Sequence, residues 1–341
     1  MKIKANLIVL IPIIFAFFSA IVNKNAEPTE IKEYELELKF SFPSKELEKK
    51  DVYFFQANHI SSDSSGNIYI SDSKARTIFK FDLDGNFLAR IGREGQGPGE
   101  FHNPWRIRLS DDFLIVSDNN NRRIQFLDKN GIYIKSIKLK GRAPWDIAFN
   151  DNGLIFVAPL RMQSEALLID VYSQDGELLY SFGEAIDLEY SWNVFNQVLL
   201  ATNEEGKLLV TFVQWPIVRK YSEDGELEEE YKIKDKVMEN AKKFNLNQQK
   251  PKPKGRATRS RPVISSIYLM DDNFYLLRAY PQIEILEFAN NAEQKAVYKY
   301  YPEDIYRSVD FFIANRHNKK FFYVLQRNPE NRVDVFSVKK N

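Results

Sequence analysis

Apolar and polar residues alternate at period two along most of this chain, in short runs broken by turn-forming dipeptides, which is the pattern of half-buried β-strands. The runs fall into groups of four. The first group covers residues 59–61, 67–71, 77–82 and 87–91, and the second covers 105–109, 113–117, 123–128 and 132–137. A third (146–149, 154–158, 166–172, 178–182), a fourth (198–201, 207–212, 217–221, 227–233) and a weaker fifth (264–269, 274–278, 283–288, 296–300) follow. The sixth has only three runs, 308–313, 321–325 and 332–338. Between the third and fourth runs sits Asp84-Gly85, Asn130-Gly131, Asp175-Gly176 or Asp224-Gly225, with the glycines recurring at steps of 46, 45 and 49 residues. Such dipeptides suit a type I′ hairpin turn, so each marks two antiparallel neighbours.

A repeat of this length predicts a repeat architecture: an all-β, six-bladed β-propeller of four-stranded antiparallel blades. The sixth group lacks its outermost strand, and residues 34–42 (YELELKFSF) alternate without a partner nearby. The N-terminal strand is therefore expected to close the last blade, leaving no open edge in the ring.

The most complete copy spans residues 92–137. It carries glycines at 95, 97 and 99, Phe101-x-x-Pro104, an apolar strand ending in Asp118, Asn121-x-Arg123-Ile124, and Asn130-Gly131. This set resembles the NHL repeat, and the chain is similar to six-bladed propellers of the NHL or TolB-like kind. The first copy keeps Asp72 and Asp84-Gly85 but has Thr77 in place of the arginine; the sixth keeps Asn331-Arg332-Val333. In the resemblance these are blade-building residues: Asp118 caps the following turn, Arg123 pairs with it or with a neighbouring blade, and Phe126 fills the layer between blades. Propellers of this group include binding platforms, hydrolases, lyases and sensor domains, so the resemblance implies an architecture and leaves the activity open.

Charge adds little, because 48 Lys and Arg balance 47 Asp and Glu, and no global field favours nucleic acid. The absence of cysteine excludes disulfides, thiolate metal sites and thiol nucleophiles. The N-terminus changes the picture more. Lys2 and Lys4 precede an apolar run over residues 7–22, so residues 1–22 read as a signal peptide or a signal anchor, the latter tethering the protein to a membrane. A polar linker, 23–33, leads to the propeller, 34–341, with an insertion at 234–261. The protein is expected outside the cytoplasm, periplasmic or extracellular.

In a propeller the loops between second and third strands, and between blades, share one rim around the central channel. Asn58, His59, Trp105, Arg106, Trp145, Asp146 and Arg307 are expected there. Trp105 and Trp145 occupy the same repeat position, and two rings at a channel mouth either stack on a ligand or pack between blades. Arg76, Arg93, Arg106, Arg122, Arg142 and Arg161 fall in or beside rim loops, a set that favours an anionic group unless acids such as Asp72, Asp118 and Asp146 pair with it. Histidine is scarce; His59, His102 and Asp146 make a sparse candidate metal set, and His317 belongs to the opposite face. No Gly-x-Ser-x-Gly elbow or P-loop is present. Within the insertion, 235–247 has helical periodicity with Val237, Ala241 and Phe244 on one face, followed by the basic run 250–261 (KPKPKGRATRSR), either a solvated loop or a lid. The leading expectation is an exported, non-enzymatic propeller binding a protein, peptide or glycan ligand at the rim, without a cofactor. Its rival is a metal-assisted hydrolase or lyase, lactonase-like or amidating-lyase-like, at the channel mouth.

Overall fold

The computed structural model describes residues 30–139, 143–160, 167–189, 192–202, 206–249, 259–279, 282–302, 307–328 and 330–340. The apolar N-terminal segment, Arg142, Arg161 and residues 250–258 of the basic run lie outside them. From Ile31 onward the chain is one unit built of four-stranded antiparallel blades. Six innermost strands neighbour one another in a closed ring: Ala57–Ser62, Pro104–Leu109, Pro144–Phe149, Val198–Thr202, Ile264–Met270 and Ser308–Arg316. Second strands such as Ile68–Asp72, Leu114–Asp118 and Ile155–Pro159 are buried at every position, because each blade is sandwiched between two others. Fourth strands face solvent on one side, and Tyr133–Lys138 accordingly alternates exposed with less exposed positions.

Blades one to four are separate sheets, whereas five and six share one eight-stranded sheet. The join is the N-terminal strand, Lys32–Phe42. It pairs antiparallel with Arg332–Val338, Leu36 opposite Val338 and Phe42 opposite Val333, as the closure argument requires. Its first four residues also run parallel to the outer strand of blade five, Lys32 opposite Ala296. Those backbone partners explain why the strand starts at Lys32, inside the expected linker, and not at Tyr34.

The Asp-Gly and Asn-Gly turns join third to fourth strands as expected, but they are not type I′. Only the glycine has positive φ: +79° at Gly85, +91° at Gly131, +85° at Gly176 and at Gly225. Gly85 N donates to Asp82 O at 3.1 Å, while Asp82 Oδ1 accepts from the amides of Asp84 and Asn86 at 2.9 Å each. The side chain that opens the turn thus favours a type I turn closed by a glycine bulge. A Cβ on Gly131, Gly176 or Gly225 would come within 2.6, 2.8 or 2.6 Å of Ile91, Ile137 or Phe182 on the outer strand of the preceding blade. On Gly85 it would come within 3.0 Å of Phe42. The closing strand therefore repeats around the last junction the contact made at the others.

The insertion forms a helix, Lys236–Asn247, N-capped by Asp235, which accepts from Met238 N at 2.8 Å. Its buried residues are Met238 and Asn245, not the expected Val237, Ala241 and Phe244 face. Asn245 sets the rotation: its amide donates to Gln214 O and Arg261 O, both 2.9 Å, and accepts from Arg261 N at 2.8 Å. Phe244 instead lies under the Arg261 guanidinium, 4.1 Å from the ring centre. A short helix, Trp192–Phe195, ahead of blade four has no counterpart in the sequence pattern. Among the described residues no helix is long and apolar enough to cross a membrane.

Candidate functional site

Five of the six innermost strands lose register by one residue where they begin, at 57/59, 104/107, 144/146, 264/266 and 308/310. Such bulges re-aim side chains. Here the residues left out of register are Asn58, Trp105 with Arg106, Trp145, Ser265 and Val309, and every one lines the same cavity at the rim. Leu199 of blade four joins them without a bulge. The cavity has a volume of about 800 Å³. The ends of the second strands of blades four to six and the loops that follow them complete its wall with Val213, Arg278 and Arg327, and the inserted helix covers it with Val237, Met238 and Ala241.

One residue further along the innermost strands lies a layer of charge. Asp146 accepts from Arg108 at 2.9 Å, from Leu200 N at 3.0 Å and from Ile147 N at 2.8 Å, and its carboxylate is 3.6 Å from Arg106 Nε. Across the ring Asp310 accepts from Ile60 N at 2.8 Å and from the Ser266 hydroxyl. Each aspartate thereby clasps the innermost strand of the following blade. Arg108 also donates to His59 Nε2 at 2.5 Å. His59 Nε2 is 3.4 Å from Asp310 as well, yet this is not an ion pair: burial, then Arg108 and Arg106, hold the imidazole well below its ordinary pKa of 6.5, so it is neutral and accepts from Arg108. Below this layer a smaller cavity, about 220 Å³, is lined by His59, Arg108, Tyr268 and Asp310. Its donors are largely spent internally: Tyr268 on Ile313 O, Thr202 on Phe149 O, and Arg108 on its several acceptors.

The upper cavity differs. Arg106, Arg307 and Arg327 meet in it, and burial together with Arg307 and Arg106 pushes the Arg327 guanidinium down to about 10. Arg327 donates to Ala57 O at 3.0 Å and to Asn58 Oδ1, and Asn58 Nδ2 is buried without an acceptor among the described residues. Arg106 is 6% exposed, and beyond its 3.6 Å approach to Asp146 its Nε has no hydrogen bond among the described residues. Arg307 makes no side-chain ion pair among the described residues. Arg278, by contrast, is neutralised by Asp235 and Glu284. No Asp, Glu, His, Lys, Tyr or Cys is among the described residues lining this cavity.

Of the rim residues expected from the sequence, Asn58, Trp105, Arg106, Trp145 and Arg307 come together in the cavity; His59 and Asp146 belong to the layer beneath, and Arg142 lies outside the described residues. Trp105 and Trp145 lean on one another across two blades, ring centres 5.6 Å apart and planes 40° apart, with neither indole N–H finding an acceptor among the described residues. Arg76 pairs with Glu94 and Arg93 with Glu100, so these two leave the anion-binding set. His102 donates its backbone N–H to Asp118 at 3.0 Å, and among the described residues no three His, Cys, Asp or Glu side chains are placed to hold a metal ion. Asp118 and Arg123 pair at 3.2 Å, and Phe126 is fully buried between blades, as the repeat resemblance implies. Asp118 differs from the expected cap in taking the backbone amides of His102 and Asn103, and from the following turn only the Asn121 side chain. Sequence reasoning missed Arg327, Val213 and Met238. Arg327 follows the second strand of a degenerate copy, where only its offset from the strand could have marked it.

Residues 29–106 match the DUF5128 family model, described as a 6-bladed beta-propeller. Among solved structures the chain is similar to a member of the DUF4221 family from Bacteroides vulgatus, with a TM-score of 0.59 at 13% identity over 91% of this chain and 99% of the other. It is also similar to a candidate exported protein from Bacteroides fragilis, TM-score 0.56 at 10% identity, covering 91% of this chain and all of the other. A catalytically inactive virginiamycin B lyase from Staphylococcus aureus, solved with quinupristin, gives a TM-score of 0.53 at 16% identity over 88% of each chain. At such identities the likeness shows the fold: this chain is an all-β propeller of four-stranded blades, described by its family match as six-bladed.

Proposed function

We propose that the protein is an exported, non-enzymatic propeller that binds a protein, peptide or glycan ligand through an anionic group held in the rim cavity. One observation carries this reading. A mostly apolar cavity of ligand size is lined by five arginines, of which Arg261, Arg307 and Arg327 have no carboxylate within pairing distance among the described residues. No Asp, Glu, His, Lys, Tyr or Cys is among its described lining residues to neutralise them or to move a proton. A buried donor without an acceptor among the described residues, Asn58 Nδ2, costs stability unless something accepts from it, and a ligand would do so. Export is supported by the two lysines and apolar run at the N-terminus.

The test uses 8-anilinonaphthalene-1-sulfonate, an apolar body bearing one anion. Purified protein should bind it saturably at one site, read as quenching of the Trp105 and Trp145 fluorescence. The Leu199→Trp/Val213→Trp double variant fills the cavity and should weaken binding at least tenfold with the melting transition kept. Absence of saturable binding, or equal binding by the filled variant, contradicts the proposal.

A further inference from the structure

We propose that the ligand is the free C-terminal end of an apolar peptide, its α-carboxylate on Arg307 and Arg327 with Arg106 behind them. The inference rests on the binding reading above and specifies its ligand.

Charge selects the group. Among the described residues Asp146 is the one carboxylate within 4 Å of the three guanidiniums, 3.6 Å from Arg106 and already engaged by Arg108 and two backbone amides. Asp310, which acts on Arg106 from further off, is likewise engaged by Ile60 N and Ser266, and Asp72, which acts on Arg327, by the amides of Phe55, Gln56, Lys74 and Ala75. Two guanidiniums on one side match the two oxygens of a carboxylate, and bidentate contacts of this kind are short and strong. Lining selects the body. Leu199, Val213, Met238, Val263 and Ile264 give the cavity an apolar wall that suits an aliphatic or aromatic side chain, with Asn240, Ser260, Ser265 and Ser308 as its neutral polar positions. A peptide differs from a fatty acid in carrying amides as well, and Asn58 Nδ2 is a buried donor with no acceptor among the described residues, suited to the carbonyl next to the terminal residue. The volume, about 800 Å³, falls in the range of roughly 300–1,000 Å³ that encloses a drug-sized molecule, and a short peptide end is of that size.

The experiment incubates the full protein with an equimolar library of N-acetylated tripeptides, prepared once with free C-termini and once as C-terminal amides, and reads retention by mass spectrometry. Free acids ending in an apolar residue should be retained at least tenfold over their amides. Arg307→Gln, which removes an exposed guanidinium and breaks no described contact, should abolish that preference without moving the melting temperature. Equal retention of acids and amides, retention of neither, or tighter binding of decanoate or of a glucuronate disaccharide than of any peptide overturns the inference. If the naphthalenesulfonate still binds at one site, the peptide assignment alone has failed; if it too fails to bind, the cavity reading falls with it.

Discussion

Asp146 illustrates how much of the channel is decided by single side chains. A rim position two residues into blade three looks like a ligand-binding carboxylate, yet its oxygens are taken by Arg108, Leu200 N and Ile147 N, and it ties blade three to blade four. His59 is the titratable counterpart. Buried, and flanked by Arg106, Arg108 and Asp310, it is kept neutral in the folded protein. The unfolded chain takes up a proton near pH 6.5 that the folded chain refuses, so stability should fall as pH drops below 6.5, by about 1.4 kcal/mol per pH unit until the depressed folded pKa is reached. Urea unfolding between pH 5 and pH 8 checks this. His59→Gln, which keeps an acceptor for Arg108, should flatten the profile over that window, and an unchanged slope would show that His59 is not its source. At this scale the sequence was half legible. The repeat position announces Asn58, Trp105, Arg106, Trp145 and Arg307 as rim residues. It does not reveal that one further step along the same strand turns from cavity to ion layer, because that depends on the bulges, which period-two alternation does not record.

Among the elements, the N-terminal strand bears most on the ring. Phe42 is 2% exposed, packs with its ring centre 5.0 Å from that of Phe81 and sits over Gly85 of blade one, so it closes the sixth junction as Ile91, Ile137 and Phe182 close others. Phe42→Ala should cost about 3–5 kcal/mol, the usual range for truncating a buried aromatic. A loss under about 1 kcal/mol in urea unfolding would mean that the closing strand is held by its backbone ladder alone. This strand was readable from its alternation and from the strand missing in blade six. The inserted helix was readable as a helix but not in its rotation, because the polar Asn245, and not an apolar residue, takes the buried position by satisfying three backbone groups. The hairpin turns were correctly placed and misassigned in type, since the Asp or Ser side chain that opens each turn competes for its amides.

For the molecule as a whole, the six-fold repeat was plain in the spacing of strands and turns, because hydrophobic period and turn chemistry are local. The cavity was not, because it is assembled from blades one to six and roofed by a helix inserted between two of them. The repeat motif in residues 92–137 supplies the scaffold; the residues proposed to bind are those it leaves free, joined by Arg327 and Met238 from the degenerate half of the ring. The central claim is that an anion bound in this cavity lies on its arginines with its apolar part under the helix. A crystal structure with 8-anilinonaphthalene-1-sulfonate tests it most directly. The account predicts sulfonate oxygens about 2.8 Å from the Arg307 and Arg327 guanidiniums and the rings against Val213 and Met238. A molecule bound elsewhere on the propeller, or held here with its sulfonate turned to solvent, would contradict it.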